Sequence, residues 1–178
     1  AGAITVPVLD AGRDLVLTAG GALRTDQAEA RGGDLGATVG SAVATRLASS
    51  GNLALSGSGR LDLGSLSSGG DLAVASRGGS VAILSARSTG RTAIDADGDL
   101  GFGSVTGAEI ALASRNGGLG AETIDAANMI ALPGIITGGA RHPCDGRLHP
   151  RSHDPDRGRH RRAGLGGGDD AAHRPHRP

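Results

Sequence analysis

The chain has no tryptophan, no tyrosine and no lysine, and Phe102 is its one aromatic residue in 178. A globular core normally leans on aromatic rings for buried area, so a core of the usual kind is excluded. Ring platforms on which a sugar or a base could stack are missing too. All 18 basic residues are arginine, which removes the phosphate-loop lysine, Schiff-base catalysis and lysine-held cofactors. A single cysteine, Cys144, leaves no internal disulfide framework and no multi-cysteine zinc site. No apolar run approaches the length of a membrane-spanning helix. Neither an initiating methionine nor a signal-like segment stands at the amino end, which suggests a piece of a longer chain.

What is present in abundance is glycine, 33 residues of it, and it recurs in phrase. Gly12-Arg-Asp-Leu15, Gly32-Gly-Asp-Leu35, Gly51-Asn-Leu53, Gly69-Gly-Asp-Leu72 and Gly107-Ala-Glu-Ile110 mark a period of about twenty residues. Leu53, Leu72, Thr92, Ile110 and Ile130 follow one another at steps of 19, 20, 18 and 20. Leu61, Val81, Leu100 and Leu119 form a second series between them, at steps of 20, 19 and 19. Around each anchor the residues alternate, as in Leu72-Ala-Val74-Ala and Val81-Ala-Ile83, which is a strand signal with bulky aliphatics inward and Ala or Ser outward. Glycine at this density weighs against a helical solenoid, at a cost of roughly 1 kcal/mol per interior position. A repeat of this length is one coil of a solenoid. The expected fold is therefore all-β: a parallel β-helix of about 19–20 residues per coil, with seven coils making a rod of roughly 35 Å. Gly69-Gly70, Gly78-Gly79, Asp97-Gly98 and Asn116-Gly117-Gly118 would turn its corners through positive φ angles.

Two stretches depart from this regularity. Before about residue 50 the register loosens, and Asp26–Ala30 and Val43–Ala48 are either a loop and a short helical insertion or degenerate coils. Near Gly139 the composition breaks, dividing the chain into a repeat region, 1–140, and a tail, 141–178. Residues 1–140 carry nine Arg against thirteen acids, a net of −4; residues 141–178 carry nine Arg against five acids, a net of +4, and hold all six histidines. The tail has too little apolar surface to offset its ordering entropy, so disorder is expected. Three origins stay open: translation of a GC-rich gene out of frame, a disordered linker, or a binding segment. The last would hold metal through His153, His160, His173 and His176, or nucleic acid through Arg157 to Arg162. The spacing of those histidines is irregular, and no aromatic interleaves the arginines.

The phrase Gly-Gly-Asp-Leu-x-Val/Leu, its x-Ala-x-Ser continuation in Gly69–Ser76, and the run Gly79-Ser-Val-Ala-Ile-Leu-Ser-Ala86 resemble the stalk repeats of filamentous-haemagglutinin-type exoproteins of the two-partner secretion system. The resemblance covers about residues 10–138. It implies a right-handed β-helix and export from a Gram-negative bacterium through a dedicated outer-membrane transporter. It further implies placement in the medium or on the outer cell surface, and a partner in a receptor on a host or neighbouring cell. The Asn-Pro-Asn motifs of that family's secretion domain are absent, since Asn52, Asn116 and Asn128 are the only asparagines.

Candidate chemistry is sparse. Asp95-Ala-Asp97-Gly-Asp99 opens like a calcium loop, but Leu100 stands where glycine and Thr106 where glutamate would be needed. Because parallel β-helices also host polysaccharide lyases and hydrolases, those three acids, or Asp62 with Asp71, are the acid–base candidates. No histidine or lysine lies in the repeats to assist them. Arg31-Gly-Gly-Asp34 is not an Arg-Gly-Asp tripeptide. No residue is assigned a catalytic, cofactor-binding or metal role, and neither nucleic acid nor a membrane is an expected partner. The expected function is a stalk or adhesive segment of a surface adhesin and not an enzyme. The alternatives are a polysaccharide-active β-helix enzyme or a non-functional gene fragment.

Overall fold

The computed structural model describes residues 2–131 and 135–136, with side chains as far as residue 127. Over that span the chain is all-β and winds a parallel β-solenoid of about six turns, one fewer than the period predicts, or about 29 Å at ordinary strand spacing. The tail, with its histidines and arginine cluster, lies outside the described residues.

Two stacked rows define the winding. Leu15, Leu35, Leu53, Leu72, Thr92 and Ile110 are partners coil to coil. So are Leu23, Ala42, Leu61, Val81, Leu100 and Leu119. These are the two anchor series of the sequence, continued toward the amino end. Both rows are buried except at Leu15, which is partly so, and each fully buried aliphatic side chain contributes about 1.5–3 kcal/mol. Phe102 stacks between Ile83 and Ala121, so the one ring is accommodated beside a small neighbour.

The alternation slips once per coil. In Leu61–Ser68, Leu61 and Leu63 point inward, Gly64 and Ser65 both lie at the surface, and Leu66 and Ser68 point inward again. Leu84-Ser85 and Gly103-Ser104 repeat the slip in the next two coils. Each turn therefore has three straight runs where the period suggested two. A methyl group on Gly64 would drive into the Thr45 carbonyl of the preceding coil, so the corner is closed by backbone packed on backbone.

One open choice is decided and two expectations need revision. Asp26–Ala30 and Val43–Ala48 are coils and not a loop and a helix: they belong to the strands Leu15–Ala30 and Leu35–Ser49 and keep register with their neighbours. Their inward residues include Ala28, Ala30, Ala42 and Ala44, and alanine gives too little hydrophobic contrast to reveal the alternation. Serine is not confined to the outside. Ser49, Ser68 and Ser88 form a buried row beside the turns. Finally, the corner glycines Gly69, Gly70, Gly78, Gly79, Gly98 and Gly117 do not adopt the positive φ expected of them. They are required for a different reason, which the turns make plain.

Candidate functional site: the stacked turns

The Gly-Asx-Leu phrase is a device for joining coils. Leucine is the inward anchor of the strand it starts. The residue before it carries an oxygen that reaches to the next coil. Asp14 Oδ1 accepts the Asp34 N–H at 2.9 Å, Asp34 Oδ1 accepts the Asn52 N–H at 2.6 Å, Asn52 Oδ1 accepts the Asp71 N–H at 2.9 Å, and Asp71 Oδ1 accepts the Arg91 N–H at 2.8 Å. Four successive rungs thus tie coil to coil outside the strands. Each is a charged or amide acceptor on a backbone donor, in the stronger class of hydrogen bond where the acceptor is a carboxylate.

The glycine follows from the rung. A methyl group on Gly70 would sit 2.5 Å from Asn52 Oδ1, and Gly33, Gly51 and Gly90 lie as close or closer to the oxygens of Asp14, Asp34 and Asp71. Glycine precedes the donor wherever the coil before supplies an Asx acceptor. Where Arg91 supplies none, Ala108 stands in the glycine's place. A second, shorter ladder runs along the other turn. Ser80 Oγ accepts the Asp99 N–H at 3.1 Å, and Asp99 Oδ1 accepts the Gly118 N–H at 2.9 Å.

Inside the turns the buried serines satisfy carbonyls that the corners would otherwise strand. Ser68 Oγ lies 2.8 Å from the carbonyl oxygens of both Gly51 and Asp71 and accepts the Gly70 N–H at 3.2 Å. Ser88 Oγ donates to the Gly90 carbonyl at 2.9 Å and shares a hydrogen bond with Thr92 Oγ1 at 2.8 Å. Every buried side-chain nitrogen or oxygen among the described residues has a partner.

The acids singled out for chemistry do not converge. Asp95 lies on the outer face of Arg91–Ala96 and receives Arg115, with Nε at 3.1 Å and Nη2 at 2.5 Å from its two oxygens. Asp97 accepts the Asn116 side-chain amide at 2.7 Å, and Asp99 is spent on its rung. The hydrogen bond from Arg115 holds the Asp95 carboxyl below its ordinary value. Partial burial opposes this, and the guanidinium charge reinforces it. Such a carboxylate stays ionised and neutralised, the opposite of a poised general acid. Asp62 is clasped by Arg60 Nε at 2.8 and 2.9 Å, and Asp71 carries a rung at a different turn. No group of three potential metal ligands occurs among the described residues.

A shallow groove of about 580 Å³ lies along the outer face of the stacked strand segments entered at Leu15, Leu35, Leu53, Leu72, Thr92 and Ile110. Its floor is Gly36, Ala54, Ala73, Ala93 and Ala111, and Asp95 is the charged residue in its lining. That carboxylate is already paired to arginine, and the other polar side chains of the lining are the hydroxyls of Thr18, Thr38 and Ser56. The rungs, the inward serines and the three-run coil were not visible in the sequence. The recurrence of Gly beside Asx was the signal that could have found the rungs. No family model, no curated protein and no solved structure matches the chain.

Proposed function

We propose that the chain is a structural stalk segment, with an adhesive outer surface, of a secreted or surface-exposed haemagglutinin-like exoprotein of a Gram-negative bacterium. The observation that carries this reading is the employment of the polar groups. The acids offered as catalytic candidates each hold an adjacent coil or an arginine, and none is left facing a common point. A surface built that way transmits stiffness and spacing along a rod, which is what a stalk contributes. Its partners would be a receptor on another cell and the outer-membrane transporter of a two-partner system.

The test is removal of one whole coil. Deleting residues 53–71 joins Asn52 to Leu72 and restores both rows, shortening the rod by about 4.8 Å. Displayed on a Gram-negative cell surface, the shortened chain is expected to remain exported and to retain cell attachment. Incubation with acidic polysaccharides should release no product. Cleavage of such a polymer that disappears in Asp95→Asn would overturn the stalk reading in favour of an enzyme. So would loss of attachment on deleting this coil while the circular dichroism stays that of the intact fold.

A further inference from the structure

We propose that Asn116 is a site of spontaneous deamidation, converting one turn of the solenoid to aspartate or isoaspartate without any enzyme. Deamidation needs an exposed asparagine, a following residue that does not crowd its side chain, and a backbone nitrogen free to attack. Asn116 is exposed in the turn Arg115–Gly117 and is followed by glycine, the least crowding residue there is.

The third condition concerns the Gly117 N–H. At several other turns the glycine N–H is committed to the coil before. Gly51 donates to the Gly33 carbonyl at 2.9 Å, Gly70 to Gly51 at 2.9 Å, and Gly98 to Gly79 at 3.1 Å. By that rule Gly117 would donate to Gly98, whose carbonyl instead receives the Ser114 hydroxyl at 2.9 Å. Among the described residues no hydrogen bond holds the Gly117 N–H. Asn52 is the internal contrast. Its side-chain oxygen carries a rung, and the nitrogen that would attack it, Leu53 N–H, is donated to the Asp71 carbonyl at 2.9 Å.

The reaction uses only water. The Gly117 backbone nitrogen attacks Asn116 Cγ, a nitrogen–carbon bond forms, and the Cγ–Nδ2 bond breaks. The backbone proton leaves with Nδ2 as ammonia, and a cyclic imide remains. Water then opens the imide at one of its two carbonyls. Opening at Cγ leaves aspartate; opening at the main-chain carbonyl leaves isoaspartate, with the chain rerouted through the side chain.

Both products undo contacts seen here. Asn116 Nδ2 donates to Asp97 Oδ1 at 2.7 Å, and a carboxylate in its place sets two negative charges against each other. Isoaspartate also inserts a methylene between two rungs: the Asn116 N–H bond to the Asp97 carbonyl at 2.8 Å and the Gly118 N–H bond to Asp99 Oδ1 at 2.9 Å. The turn would loosen while the coils on either side keep their rows.

The experiment is incubation of the full chain at mildly alkaline pH and body temperature for weeks, with peptide mapping by mass spectrometry. An isoaspartate-specific methyltransferase provides the second readout. The peptide holding Asn116 is expected to gain about one dalton and to accept methyl label. Its conversion should run about tenfold faster per pH unit, since the deprotonated amide attacks. Peptides holding Asn52 and Asn128 should keep their mass, and Asn116→Gln should abolish both signals. The same chain in urea sets the unfolded rate. A folded rate within about a hundredfold of it sustains the proposal, and a slower one shows that the turn protects Asn116 and overturns it. Conversion of Asn52 ahead of Asn116 would overturn it equally.

Discussion

Two of the three turns in each coil solve one problem by different means. The turn before the Leu53 row is bound by four consecutive Asx rungs, from Asp14 to Arg91, and its glycines track the acceptors one for one. The turn before the Leu61 row has two rungs, Ser80 to Asp99 and Asp99 to Gly118, and they begin in the part of the rod where the first ladder ends. The contrast teaches that glycine here answers to the neighbouring coil and not to the local backbone angle. A residue is small because something twenty residues earlier reaches into its space.

The comparison presupposes that the rows hold the coils in register, so the most damaging change lies in the core. Leu72→Asp or Ile110→Asp places a carboxylate where no partner exists, in a row that is 1% exposed, at a cost of several kcal/mol. The denaturation midpoint should fall sharply for either. An unchanged midpoint would mean that these side chains do not point inward.

The ladder itself is tested by an exchange of glycine and alanine. Gly70→Ala forces Asn52 Oδ1 away and strands the Asp71 N–H, an expected loss of about 1–3 kcal/mol. Ala108→Gly, at the equivalent place with no acceptor beneath it, should cost about 1 kcal/mol or less, through backbone entropy alone. Equal losses in chemical denaturation would end the claim that the acceptor dictates the glycine.

The smallest effect should come from Arg115→Ala at the outer face. Arg115 is largely in solvent and Asp95 partly so, and ion pairs at such a surface contribute little. The sign is nevertheless fixed. The Asp95 carboxyl is held below its unfolded value, so its contribution is present above the ordinary carboxylate pKa and is lost as pH falls through the lowered one. The difference between wild type and variant should be visible near neutral pH and vanish in acid. A difference that grows in acid would show that Arg115 acts by something other than this pair.

Much of the architecture is legible in the sequence because leucine, isoleucine and valine return at intervals that only stacked coils explain. Leu53, Leu72 and Ile110 announce their row without help. Residues 26–30 and 43–48 do not, because Ala28, Ala30 and Ala44 are inward yet no more apolar than the alanines outside. The slip at Gly64-Ser65 is hidden for a related reason: two small surface residues in succession look like any other turn. The rungs leave only the recurrence of Gly beside Asx as a trace in the sequence, because Asn52 and Asp71 are nineteen residues apart and the need of one for the other appears once their coils are stacked. As for chemistry, Asp95, Asp97 and Asp99 alternate suggestively on paper, but strand geometry and the following coil give each a separate partner.

The ladder also has a direction. In every rung the side-chain oxygen belongs to the earlier coil and the backbone donor to the later one, so Asp14 is synthesised before the Asp34 amide that needs it. The edge left by a finished coil is thus a row of waiting acceptors, and the next stretch of chain arrives with donors to match. A polypeptide emerging amino end first would meet a completed template at each step, laid down by itself a moment earlier. The same chain fed in backwards would present donors to a surface not yet made.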